Sequence, residues 1–165
     1  RALVLRFGNL APGPGAERKV WLPPTPDRLR TIASWEWLRL HIDPARSRTI
    51  VTAARVADSL ERLAALPPEE ADRRLRSLPG IGVWTSAEVR VRTFGDPDAV
   101  SFGDYHVAKD VGWALTGTPF DDAAMEEFLE PYRPQRGRVP ALVAAGRLHR
   151  PRRGPKMAPR THLPR

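Results

Sequence analysis

Residues 78–85 read Leu-Pro-Gly-Ile-Gly-Val-Trp-Thr, and amphipathic helical patterns lie on both sides of them. The run leaves the chain little choice. Pro79 disfavours helical geometry at Leu78, so the preceding helix must stop there. Gly80 and Gly82 admit positive φ and leave no side chain in the way of an approaching surface. The next helix begins at about Val83. Its first N–H groups have no intrahelical partner and carry the positive end of the helix dipole behind them. A helix start opened by glycines is an anion site, and a backbone phosphate fits it. The alternative is an ordinary tight turn between two helices.

The rest of the chain agrees with an all-α fold. Thr25-Pro26-Asp27 is a helix start with Thr25 as N-cap, followed by Leu29, Ile32 and Ala33. Asp43-Pro44 repeats the signal, and Ile50, Ala54, Ala57 and Leu60 form a 3.6-residue stripe that predicts one helix of about four turns. Further apolar stripes follow at Ala71–Leu78, Trp84–Phe94, Val107–Leu115, Met125–Tyr132 and Val139–Val143. No segment alternates with period two, and residues 8–26 are dense in Gly and Pro, which predicts a loop. The expected architecture is a bundle of about seven helices with short connections.

Composition narrows the class. Of 165 residues 41% are hydrophobic, enough for one domain with a core. No stretch nears the roughly 20 apolar residues of a membrane span, and the Ala2–Leu5 run is too short for a secretory signal. The expectation is a cytoplasmic, nucleoid-associated protein without a membrane partner, and a monomer. With no cysteine, disulfides, thiolate zinc sites and a cysteine-ligated iron–sulfur cluster are excluded. The net charge of +8 is concentrated at one end. Residues 148–165 hold six basic side chains and no acid, leaving 21 basic against 19 acidic residues before them. The division expected is a helical domain over residues 1–147, with the hairpin unit at about 69–94, and a basic Pro/Arg-rich tail over 148–165. Such a tail is either a phosphate-contacting arm or a solvated end.

Leu78–Thr85, together with Gly103-Asp104-Tyr105-His106 about twenty residues on, resembles the helix-hairpin-helix superfamily of base-excision DNA glycosylases, closest to the 3-methyladenine glycosylase II branch. The resemblance covers roughly residues 1–147. It implies that Gly80, Ile81, Gly82, Val83, Trp84 and Thr85 grip double-stranded DNA without reading sequence. It also implies that the backbone carbonyls of Arg76, Leu78 and Ile81 hold a monovalent cation (Na+ or K+), with no other cofactor required. Asp104 takes the place of the catalytic aspartate. The chemistry agrees: breaking an N-glycosidic bond builds positive charge on the sugar, and a fixed carboxylate stabilises it. An alkylated base already carries charge and leaves easily, so one aspartate suffices once the nucleotide is flipped out. Asp104 taken alone reads as a helix N-cap, and the hairpin upstream is what favours catalysis.

Relatives that also cut the strand carry a lysine where this chain has Trp84, so the resemblance implies a monofunctional enzyme with water as nucleophile. The base-pocket candidates are Trp37, Trp84 and Tyr105, since aromatic faces stack flipped and cationic bases. Trp113 reads as core, and Asp96 and Asp98 as turn residues beside Pro97. Relatives place further aromatics where this chain has Glu88 and about Ala144. They also carry chain upstream of the point matching Arg1, including the side chain that wedges into the DNA stack. The reading is therefore of an N-terminally truncated glycosylase domain. Its alternatives are a non-catalytic hairpin module, an inactive fragment of a glycosylase, and a helical protein-interaction domain.

Overall fold

The computed structural model describes residues 1–151. The architecture is all-α, with eleven α-helices among the described residues: α1 Ala2–Phe7, α2 Pro14–Glu17, α3 Pro26–Thr31, α4 Ser34–Arg39, α5 Pro44–Arg55, α6 Ala57–Glu61, α7 Pro68–Arg76, α8 Val83–Val89, α9 Val107–Thr116, α10 Asp122–Leu129 and α11 Arg138–Ala145. Three helix starts carry side-chain caps of the residue types that favour them. The Thr25 hydroxyl accepts from the Arg28 amide, Asp43 from Arg46, and Asp121 from Ala124.

The count exceeds seven because α1, α2, α4 and α6 are too short to print a periodic stripe. The single four-turn helix expected after Pro44 is instead two. Val56 leaves helical geometry, with φ −116° and ψ 23°, and its amide turns back to the Ala53 carbonyl. Trp35 and Trp37 lie within α4. The Gly/Pro-rich loop over 8–26 contains a two-stranded antiparallel ribbon, β1 Asn9–Leu10 against β2 Trp21–Leu22, with Asn9 opposite Leu22. Strands of two residues are too short to show alternation.

Two apolar clusters organise the region that matters for function. The first lies under the hairpin: Leu63, Ala71 and Leu75 are buried, with Leu60, Leu66, Ile81, Val89 and Phe94 against them. The second joins α9, α10 and α11: Val100, Ala108, Val111, Met125, Leu129 and Val143 are buried. Met125 and Leu129 have no exposed surface, and truncating either to Ala costs about 2–5 kcal/mol. The hairpin therefore belongs to one cluster and the segment leading into α9 to the other. No helix among the described residues is long and apolar enough to cross a membrane.

Candidate DNA-contact hairpin and carboxylate site

Between α7 and α8 the chain makes the turn that the sequence demands. The Leu78 amide donates to the Leu75 carbonyl, and the Ile81 amide donates to the Leu78 carbonyl. Gly80 has φ +87°, and a Cβ there would meet the Thr49 Oγ1 of α5 at 2.0 Å. The Thr49 hydroxyl also reaches the Pro79 carbonyl at 3.3 Å, which latches the hairpin onto α5. Gly82 differs from expectation. Its backbone is extended, with φ −95° and ψ −174°, and a Cβ would meet nothing within 4 Å. Gly82 therefore keeps an open surface in front of α8 rather than supplying a left-handed turn. Val83 and Trp84 are exposed beside it, whereas Ile81 packs inward. The two hairpin helices are tied by Ser86, whose buried hydroxyl donates to Asp72 at 2.6 Å.

After α8 the helix loosens into a π-helical turn, Arg90–Phe94, closed by Gly95. The chain then crosses to the second cluster, where Val100 is buried, and arrives at Asp104. One carboxylate oxygen of Asp104 accepts from the amides of His106 at 2.8 Å and Val107 at 3.1 Å, so it does cap the start of α9. That helix begins at Val107, where its apolar stripe also begins. The other oxygen accepts from the Trp84 indole N–H at 3.2 Å. The capping and site readings of Asp104 thus fall on different oxygens of one carboxyl. Partial burial works to raise its pKa. The His106 and Val107 amides, the indole and the nearby His106 outweigh it and hold the carboxyl below the ordinary range. Asp104 is ionised at neutral pH.

The structure does not treat the three aromatic candidates alike. Trp84 is 44% exposed and bonded to Asp104. Tyr105 is 71% exposed, its ring edge-on to His106 and covered by the Lys109 ammonium at 3.6 Å. Trp37 is only 3% exposed, and its indole donates to the Ile32 carbonyl. It is a core residue with no face to offer a base, and its neighbour Trp35 is the exposed one, with Arg39 over its ring. Trp113 is also corrected. It is 39% exposed and lines a cavity of about 290 Å³ with Pro119, Arg150 and Pro151.

Several residues near the site have partners that carry no local sequence signal. The Ser101 hydroxyl donates to Glu88 at 2.5 Å, while the Ser101 carbonyl accepts from the Asp104 amide. Buried Asp96 pairs with Arg90 at 2.6 Å and also makes the expected turn by accepting from the Asp98 amide. Asp98 binds the backbone N–H, Nε and Nη2 of Arg136. Burial of Asp98 opposes ionisation, but the Arg136 guanidinium and amide, with Arg133, keep its carboxyl low. Their partners lie up to 38 residues away, which local spacing does not reveal.

The solved structures decide the fold. The 3-methyladenine DNA glycosylase from Archaeoglobus fulgidus superposes with a TM-score of 0.72 at 24% identity, over 88% of this chain and 50% of that one. The Schizosaccharomyces pombe 3-methyladenine DNA glycosylase in complex with abasic DNA gives 0.63 at 20% identity, over 76% of this chain and 62% of that one. This chain has the helix-hairpin-helix DNA glycosylase fold. The 8-oxoguanine glycosylase/lyase of Clostridium acetobutylicum shares the glycosylase fold as well, with a TM-score of 0.65 at 15% identity, over 86% of this chain and 50% of that one. The chain spans about half to three-fifths of the length of these glycosylase-fold proteins. No family model and no curated protein matches the sequence.

Proposed function

We propose that this chain is part of a monofunctional DNA glycosylase that hydrolyses the N-glycosidic bond of an alkylated, 3-methyladenine-type base in double-stranded DNA. The observation that carries the reading is the 3.2 Å bond from the Trp84 indole to Asp104. It joins an exposed aromatic face on the helix that opens at the hairpin to an ionised carboxylate, so a base stacked near Trp84 has its sugar near Asp104. The hairpin over Gly80–Thr85 is assigned the phosphate backbone, and the flipped nucleotide is assigned the neighbouring Trp84 and Tyr105.

In this reading Asp104 stabilises the positive charge that grows on the sugar as the base departs and orients the attacking water. The two amides and the indole fix the carboxylate beforehand, so little reorganisation is needed during reaction. Trp84 occupies the place of a strand-cutting lysine, which leaves water as nucleophile. The carbonyls of Arg76, Leu78 and Ile81 are assigned a monovalent cation. Neutral oxygens suit such an ion, and the Leu78 oxygen has a second lone pair beside its bond to Ile81.

The test is base release from methylated duplex DNA by the chain and by Asp104→Asn. Release by the wild type and its loss in the variant support the reading. Equal release by both removes Asp104 from the chemistry. Salt-sensitive DNA binding with no release from any damaged duplex leaves a non-catalytic binding module.

A further inference from the structure

We infer that Glu88 is the base-selecting residue of this site, favouring a positively charged base over a neutral one of the same shape. The inference rests on the glycosylase reading and names the chemistry of its substrate. Three contacts carry it. Trp84 and Glu88 are four residues apart on α8, so they share one face of the helix. Trp84 is bonded to Asp104. The Ser101 hydroxyl donates to one Glu88 oxygen, and the Ser101 carbonyl accepts from the Asp104 amide, which ties Glu88 to the same loop as the carboxylate assigned to the sugar.

The consequence is chemical. An aromatic face beside a carboxylate attracts a cation and offers acceptors only. Alkylation of a purine nucleoside at N3 or N7 gives it a positive charge, so the charge that marks the damage is the charge Glu88 would meet. An undamaged or neutral base can at most donate an N–H to that carboxylate and lacks the added attraction of charge, and one presenting a carbonyl oxygen toward Glu88 is repelled. The second Glu88 oxygen pairs with Arg92, whose side chain is largely exposed. That pair is solvated, and its attraction is correspondingly weak.

The decisive variant is Glu88→Gln, which keeps an oxygen for the Ser101 hydroxyl while removing the charge and, with it, the solvated pair to Arg92. The probes are two duplexes of one sequence. One contains 2′-fluoro-7-methyl-2′-deoxyguanosine, cationic and protected from cleavage by the fluorine, and the other contains uncharged 2′-fluoro-2′-deoxyguanosine. The wild type should bind the cationic duplex more tightly, and Glu88→Gln should cut that Kd ratio by about tenfold, the size of one charge-assisted contact. Using the ratio cancels any general effect of charge on DNA affinity. Ser101→Ala, which keeps the charge and removes the prop, should preserve most of the ratio. An unchanged ratio in Glu88→Gln overturns the inference, and an equal loss in Ser101→Ala reduces Glu88 to a structural partner of Ser101. Binding is read without chemistry, so the outcomes separate. Charge preference without base release sinks the glycosylase reading alone, whereas release with no effect of Glu88→Gln sinks only the role of Glu88.

Discussion

The Trp84 indole and the Asp104 carboxylate, twenty residues apart in the chain, meet at 3.2 Å across the seam between the two apolar clusters. The bond leaves the Asp104 cap intact, because the His106 and Val107 amides use the other oxygen.

Asp104→Asn should keep that cap, since Asn and Asp rank about equally there, and its thermal stability should stay near wild type. Asp104→Ala should cost about 1 kcal/mol. Base release should fall on the order of 100- to 1,000-fold in Asn, the usual loss for one electrostatic stabiliser. Denaturant melts and single-turnover assays on one set of variants check both halves.

The lowered pKa of Asp104 sets a pH window. Its contribution to stability is complete above the ordinary carboxylate value of 3.8 and disappears as pH falls through the lower folded value. Trp84→Phe keeps an aromatic ring but loses the indole donor, so the Asp104 carboxyl should titrate at higher pH. Carbon-13 NMR of the Asp104 carboxyl in the two proteins measures this, and a shift in the opposite direction would contradict the assigned cause.

The two hairpin glycines should respond differently to substitution. Gly80→Ala combines positive φ with a collision against Thr49 and should lose at least about 1 kcal/mol, part of it recovered by adding Thr49→Ala. Gly82→Ala meets open space and should stay within about 0.5 kcal/mol of wild type. Gly82→Asp should fold normally yet bind duplex DNA more weakly, because it sets a negative charge before the helix start. Melting and fluorescence anisotropy separate the two effects.

DNA affinity should fall steeply with salt as neutralised phosphates release counterions. The basic tail lies largely beyond the described residues, which end at Pro151. Its attachment is visible: Asp110 of α9 binds the His149 ring at 3.0 Å and the Arg150 amide at 3.1 Å. Removing residues 152–165 spares both bonds and takes away five basic side chains. The salt slope should flatten by about 0.9 for each phosphate that the tail neutralises in the intact chain. An identical slope would make the tail a solvated end.

Strand cleavage should be absent. Incubation with damaged duplex and borohydride should trap no covalent adduct, because Trp84 offers no amine. A trapped adduct would instead point to another amine, with Lys109, packed on Tyr105, the first to substitute.

The parts that local chemistry dictates were readable in the sequence. Pro79 and Gly80 set the hairpin, Thr25 and Asp43 set two helix starts, and Asp104 was marked only through the resemblance of Gly103–His106 to the glycosylase superfamily. Residue type alone did not sort the tryptophans, because an indole serves equally well in a core and at a surface. Only the packing of α4 decides that Trp37 is buried and Trp35 is not. The break at Val56 was hidden because the apolar stripe continues through it. Glu88 with Ser101 and Asp98 with Arg136 are long-range pairs, which no periodicity records.

The grip of Arg136 on Asp98, joined by the Gly137 amide donating to the Pro97 carbonyl, has a consequence for dissecting the protein. The loop that presents Asp104 is buckled from behind by a segment more than thirty residues downstream, and the hairpin is latched from in front by Thr49. Hairpin and aspartate are therefore not a transplantable cassette. A graft into another scaffold that stopped at the end of α9 would carry every residue assigned to the chemistry and leave behind the buckle that fastens the loop leading to Asp104.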